Sequence, residues 1–283
     1  MVKKIQGEGP VWKSVLGALR LLPKFWMPMF VYLIGYSFIG ALSSVLLPYT
    51  IINGQQAVAV PPKNASEAVG HGIIGLTLFF MMFFLATGLL GGVLESLRQI
   101  LSGQADAVAR FWASVRKWLF KMGAWGLAFG FLTIGLAVLA VFPVGFFWAV
   151  TGRAQGMQAL AEFVFYIALL LVGYLFLYSP GFIVFKGSGL MAAFKRSARF
   201  VWRHKTASII VVFLVSLIGA LIYLFDYYAV APLVGRLRAM LGIAPFAKGA
   251  PAFFFGLILN FPAAILFVYI PLALGLFVHH QEE

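Results

Sequence analysis

The sequence predicts an all-α polytopic membrane protein with six transmembrane helices, and with basic amphipathic interfacial helices before spans 1, 3 and 5. Of its 283 residues, 63% are hydrophobic and only 10% are charged. Soluble domains have about 25% charged residues, so a soluble fold of this chain would expose too much apolar surface. In addition, uncharged runs recur at about the 20 residues that one helix needs to cross a bilayer.

Six uncharged runs define the predicted spans: 25–47, 72–94, 122–150, 163–185, 206–225 and 253–278. Helices are favoured over barrel strands because such strands alternate in polarity, whereas these runs are apolar on every side. The first run is longer than the apolar region of a signal peptide, about 7–15 residues. We therefore expect it to remain as span 1 of a single membrane domain, residues 1–283.

The excess of basic residues predicts an orientation. Twenty-one Lys and Arg against eight Asp and Glu give a formal net charge of +13. Sixteen of the basic residues lie before span 1, between spans 2 and 3, or between spans 4 and 5, and five lie on the other side. By the positive-inside rule both termini are cytoplasmic, in a prokaryotic cytoplasmic membrane. The expected partner of this charge is anionic lipid, and nucleic acid is not expected.

A basic amphipathic segment precedes each odd-numbered span. The clearest, residues 104–121, places apolar side chains at helical spacing and carries Arg116 and Lys117. The densest basic cluster precedes span 5 and consists of Lys195, Arg196, Arg199, Arg203 and Lys205. These segments predict helices lying in the membrane interface. Except for Lys205, the residues just named are the candidate lipid-headgroup ligands.

The spacing of the basic segments suggests an internal repeat. Arg20 precedes a Gly-Ala-Leu sequence by 20 residues, Arg199 does the same, and Arg116 precedes Gly135 by 19. Three units, 10–98, 99–186 and 187–280, would account for almost the whole chain. The alternative is the weak self-similarity of any chain of helical hairpins rich in Leu, Phe and Gly.

One stretch carries a family resemblance. Residues 178–221 combine Ser-Pro-Gly at 179–181, Gly-Ser-Gly at 187–189, a basic helix with Lys-Arg-Ser at 195–197, and a new span. This order resembles the repeated pattern of YciC-like proteins and of the membrane domain that accompanies some glycerophosphodiester phosphodiesterases. The resemblance implies a six-helix inner-membrane fold. It supplies no catalytic residues, because the phosphodiesterase chemistry of such fusions belongs to a separate soluble domain.

The titratable residues predict neither a catalytic nor a metal site. Cysteine is absent, and the acidic residues fall in tails, in a loop or at span ends, including Glu95. His279 and His280 are adjacent, so on a helix they point about 100° apart and make a poor metal pair. We expect no enzyme activity, no cofactor and no metal.

Four residues within or beside the spans could carry other functions. Asp226 is predicted to end span 5, either as an ion or headgroup contact or as an interfacial acid among tyrosines. Asn260 lies about two turns into span 6, ahead of Pro262 and Pro271. The two prolines should bend the helix and free backbone carbonyls. This arrangement either binds a polar ligand or joins helices by hydrogen bonds.

Glycine pairs four residues apart predict close helix packing. They occur at Gly88 and Gly92 and again at Gly126 and Gly130. Such spacing lets two backbones approach. Packing within the chain is the first interpretation, and homodimerisation is the second.

Two functions are compatible with this sequence. The leading hypothesis is a non-enzymatic membrane protein that scaffolds or assists a membrane or envelope assembly, with protein partners or a second copy, and contacts anionic lipid. The alternative is a carrier or channel for a lipid or another amphiphile. Transporters of hydrophilic solutes usually place more ionisable residues inside the membrane.

Overall fold

A computed structural model describes residues 9–46, 49–52, 56–59, 64–104, 110–151, 157–243 and 248–282. The fold is helical, apart from an antiparallel hairpin of β1 (Tyr49–Ile52) and β2 (Gln56–Ala59). The helices are α1 (Pro10–Leu21), α2 (Trp26–Leu46), α3 (Ala65–Leu101), α4 (Phe111–Thr151), α5 (Met157–Phe176), α6 (Ser179–Lys186), α7 (Leu190–Arg203), α8 (Lys205–Phe225), α9 (Ala231–Met240), α10 (Ala250–Leu259) and α11 (Phe261–Glu282).

The structure confirms that the fold is helical. Within the described residues, six helical segments are long and apolar enough to cross a membrane. Helices α2 and α8 match spans 1 and 5 within one residue at their described ends. The threefold repeat stays a prediction, and its units do not look alike: α1 and α7 are separate basic helices, whereas the basic residues from Phe111 onward form the first turns of α4.

The last helix, α11, is the centre of the bundle. It packs against α1, α2, α3, α6 and α8. Tyr269, Leu272 and Phe277 are fully buried, and residues 271–278 are buried without interruption. Residues 261–278 carry no charge, so protein can enclose this helix without burying an unpaired charge.

Span 6 differs from the prediction of one continuous helix. It is divided at Asn260 into α10 and α11. Pro262 explains the division, because proline lacks an N–H and its ring clashes with the carbonyl four residues earlier. The amide of Asn260 still donates to the Gly256 carbonyl at 2.8 Å, and its carbonyl accepts from Ala264 at 2.9 Å. Pro271, by contrast, lies inside the continuous helix α11.

The backbone stays helical beyond Asp226, the residue that follows the predicted end of span 5. Helix α8 passes at Asp226 into a π-helical turn, Asp226–Val230, which leads directly into α9. The continuous helical segment runs to Met240. A π turn inserts one extra residue per turn without breaking the backbone ladder, so a single polar residue at this point does not stop the helix.

Labelling of introduced cysteines tests the topology. Ser66 and Ser102 are exposed at opposite ends of α3, and the wild-type chain has no cysteine to give background. In intact cells, a membrane-impermeant maleimide should react with only one of Ser66→Cys and Ser102→Cys. Both should react after permeabilisation. Equal labelling of the two in intact cells would contradict a membrane-spanning α3.

Candidate functional site

Six helices meet at one end of the bundle, named here the basic end. The C-terminal turns of α3, α6 and α11 meet there with α1, α7 and the start of α4. Ser14 of α1 lies 3.2 Å from Nδ1 of His280 on α11. The ring of Phe200 on α7 lies 5.6 Å from that of Phe277. The helix ends at this site are therefore fixed by packing.

The apolar faces of the three basic segments are buried in protein. Buried residues are Ser14, Val15 and Ala18 of α1; Phe111, Val115 and Trp118 of α4; and Ala193, Phe194, Ser197, Phe200 and Val201 of α7. An amphipathic helix buries its apolar stripe against the nearest apolar surface. At these positions that surface is the bundle core, so the segments are packed elements of the fold. Residues 105–109 of the predicted segment 104–121 lie outside the described residues.

The opposite faces of these segments carry cations and exposed tryptophans. Helix α7 exposes Lys195, Arg199 and Arg203, and next to them Trp202 is 80% exposed. Trp12 and Trp112 are about half exposed on the other two segments. Tryptophan with Lys or Arg is the pairing that membrane–water interfaces favour. On all three segments this tryptophan lies on the exposed face with the cations, away from the buried apolar residues.

The six candidate headgroup ligands are not equivalent. All six are exposed, but Arg196 and Lys117 also have partners within the chain. Nη1 of Arg196 donates to the Ser188 hydroxyl at 2.9 Å and so ties α7 to the turn that precedes it. Nζ of Lys117 lies 2.8 Å from the Glu95 carboxylate.

The turn before α7 is fixed by a glycine. Gly187 ends α6 in the left-handed region at φ 62°, ψ 20°, where glycine carries no Cβ penalty. The next amide, of Ser188, donates to the Phe182 carbonyl at 3.3 Å, and its side chain is buried. This Gly-rich turn directs α7 back across the core, with its basic residues outward.

The buried carboxylate of Glu95 joins α3 to α4. Its side chain is 2% exposed. It accepts from Nε and Nη2 of Arg98 at 3.0 and 2.7 Å, from Lys117 at 2.8 Å, and from Gln99 at 3.4 Å. Sequence reasoning set Glu95 aside as a span-end acid. The Glu-x-x-Arg spacing was the available signal, because residues three apart meet on a helix.

The polar residues toward the other end also have neighbours. Nδ2 of Asn260 donates to the Ser37 hydroxyl of α2 at 3.3 Å, and thereby joins the break in span 6 to span 1. Asp226 is partly buried in the π turn. The Arg238 guanidinium lies over the Phe255 ring at 4.5 Å, which packs α9 against α10.

Charge divides sharply between the two ends in the part of the chain that the structure describes. The basic end carries two acids, Glu95 and Glu282, and fourteen basic residues: Lys13, Arg20, Lys24, Arg98, Arg110, Arg116, Lys117, Lys121, Lys186, Lys195, Arg196, Arg199, Arg203 and Lys205. The opposite end carries the bases Arg236, Arg238 and Lys248 and the acids Glu67, Glu162 and Asp226. The charged residues Lys3, Lys4, Glu8, Lys63, Asp106, Arg153 and Glu283 lie outside the described residues.

Comparison with protein-family models, with curated proteins and with solved structures gives no match. The resemblance of residues 178–221 to YciC-like proteins therefore stays a prediction. The candidate site consists of the exposed face of α1, α7 and the start of α4 at the basic end. Chemically, this face offers many cations to an anionic surface, beside aromatic rings that can enter the headgroup region.

Proposed function

We propose that this chain is a non-enzymatic, multi-pass protein of a prokaryotic cytoplasmic membrane, with both termini cytoplasmic. It would hold anionic lipid at its basic end and scaffold or assist a membrane or envelope assembly. The charge division carries the proposal: fourteen basic residues against two acids at one end, and three against three at the other. Each exposed Lys or Arg near an anionic leaflet contributes about 1 kcal/mol of attraction.

The packing behind the charges supports a scaffold. The basic helices are anchored by buried faces, so their cations are presented on a fixed surface. Glu95, the buried carboxylate at this end, is occupied by Arg98, Lys117 and Gln99. A general acid or base must reach a substrate. The Glu95 carboxylate is instead held by three donors and joins two helices.

The second candidate function, a carrier or channel for a lipid or other amphiphile, is favoured by one observation. Span 6 is divided at Asn260, and transporters bind polar ligands at such breaks in their helices. Against it, the Asn260 amide donates to Ser37 within the bundle. This bond supports the interpretation of Asn260 as a link between helices.

Lipid flip–flop by the purified protein separates the two functions. The protein is reconstituted alone into vesicles with fluorescent phospholipid, and reagent-accessible lipid is followed over time. We expect wild type and Asn260→Leu both to match protein-free vesicles. Flip–flop by wild type that Asn260→Leu abolishes would establish the carrier and overturn the scaffold.

A further inference from the structure

A cleft of about 340 Å³ lies at the basic end, between the C-terminal turns of α3, α6 and α11. Its polar lining comes from Arg98, Ser102, Lys186 and His279, and its apolar lining includes Leu101 and Phe185. The volume falls in the range of small-ligand sites, roughly 300–1,000 Å³. None of these residues belongs to the exposed face described above.

The cations of this cleft keep donor capacity for a ligand. Arg98 gives Nε and Nη2 to Glu95, yet 42% of its side chain is exposed. Nζ of Lys186 lies 3.9 Å from Glu282, beyond hydrogen-bond distance, and its side chain is also 42% exposed. Two cations from separate helices thus line one space. Each is paired with a carboxylate, Arg98 with Glu95 and Lys186 with Glu282, and a bound anion could accept hydrogen bonds from the donors that remain.

An apolar cavity of about 170 Å³ lies deeper, between the same three helices and Trp125 of α4. Leu94, Tyr178 and Leu274 line it, and Val278 lines both the cavity and the cleft. A ligand that is charged at one end and apolar at the other therefore fits this region better than a small hydrophilic anion does.

We propose that the cleft is a specific site for the phosphate group of an anionic phospholipid, with Arg98 and Lys186 as its ligands. The inference rests on the proposed function, because that function places anionic lipid at this end. It goes further because it names one saturable site. This site is distinct from the exposed faces of α1, α4 and α7, which attract anionic lipid without a defined binding position. Glu282 competes with the phosphate for Lys186.

The competing explanation is that these cations only offset helix dipoles. Cations near helix C-termini are stabilising because of the partial negative charge there, and Arg98 and Lys186 lie in the last turns of their helices. In that case, loss of Lys186 would lower the melting temperature without changing lipid binding.

Native mass spectrometry of the full chain tests the site. The first binding step is titrated with dioleoylphosphatidylglycerol and with dioleoylphosphatidylcholine. We expect Lys186→Gln to weaken binding of the first phosphatidylglycerol molecule about tenfold, as for loss of a charged hydrogen bond. Ser102→Trp fills the cleft but keeps every cation, and it should weaken this binding by a similar factor. Glu282→Gln should strengthen it. Lys195→Gln, on the exposed face, should weaken it less than Lys186→Gln does. The control Arg236→Gln, at the opposite end, should leave it unchanged, and melting temperatures report folding.

Three further results would overturn the site. Equal weakening by Lys195→Gln and Lys186→Gln would show diffuse attraction alone and leave the proposed function intact. Displacement of the lipid by glycerol phosphate at equal concentration would show a soluble phosphate ligand. If wild type binds both lipids equally at every step, the proposed function fails together with the site.

Discussion

Replacing both Arg98 and Lys117 by methionine should lower the free energy of unfolding by about 3 kcal/mol or more, because the double change leaves a buried carboxylate without its cations. Glu95 is 2% exposed, and only the long contact from Gln99 would remain. Chemical denaturation in a fixed detergent, followed by tryptophan fluorescence, measures the change.

The reverse change should cost much less. With Glu95→Gln, the two cations lose their partner, but Arg98 and Lys117 have 42% and 53% of their side chains exposed and can turn to solvent. We expect about 1 kcal/mol. The triple variant that combines all three changes should be close to Glu95→Gln alone. A triple variant as unstable as the double variant would contradict the assignment of the effect to the stranded carboxylate.

Gly91→Ala should destabilise the protein by about 1–3 kcal/mol, the range of an overpacked interface. A Cβ at Gly91 would lie 2.6 Å from Cβ of Trp118 and 2.9 Å from Cγ of Met122. The Cβ of Trp118 moves only with the α4 backbone, so α3 and α4 would have to separate. The same denaturation assay reports the loss.

Gly130→Ala is the matched control, because nothing lies within 4 Å of a Cβ there. It shares the helix propensity gain of Gly→Ala without the clash. We expect its stability to equal or exceed that of wild type. A loss equal to that of Gly91→Ala would mean that the glycines matter through the backbone and that packing is not the cause.

The glycine contacts show how far sequence reasoning extends. Gly88, Gly92 and Gly126 each face side chains of the partner helix in the α3–α4 pair, so packing within the chain is confirmed for them. Gly130 has no such contact. Spacing in sequence identifies which glycines share a helix face. It does not predict how far along that helix the contact with the partner helix extends.

The fold could be predicted because transfer of apolar residues out of water dominates its energetics. Hydropathy alone located the spans, since a bilayer requires about 20 apolar residues per crossing. Pro262 in the sequence accounts for the division of span 6 at Asn260. The sequence did not predict at which residues the two helices end. The continuation of α8 past Asp226 depended on a π turn, for which the sequence gives no comparable signal.

The site was harder to predict because it depends on whether each amphipathic segment packs against lipid or against the protein core. Val115 and Val201 read equally well as lipid-facing or core-facing residues, and the structure buries both in protein. Lys117 reads as a headgroup ligand in sequence, but its partner Glu95 lies 22 residues away on another helix. Only the packing of α3 on α4 brings them together.

Spin-labelled lipids test most directly the claim that the basic end attracts anionic lipid. The relative association of labelled phosphatidylglycerol over phosphatidylcholine is measured in reconstituted membranes at low and high salt. We expect a preference that falls with salt. It should fall about threefold or more in Lys195→Gln/Arg199→Gln/Arg203→Gln, because three cations of about 1 kcal/mol each are lost and the measurement averages this loss over all lipids in contact with the protein. The control Arg236→Gln/Lys248→Gln, at the opposite end, should keep it. Equal association of the two lipids with wild type at low salt would contradict the account.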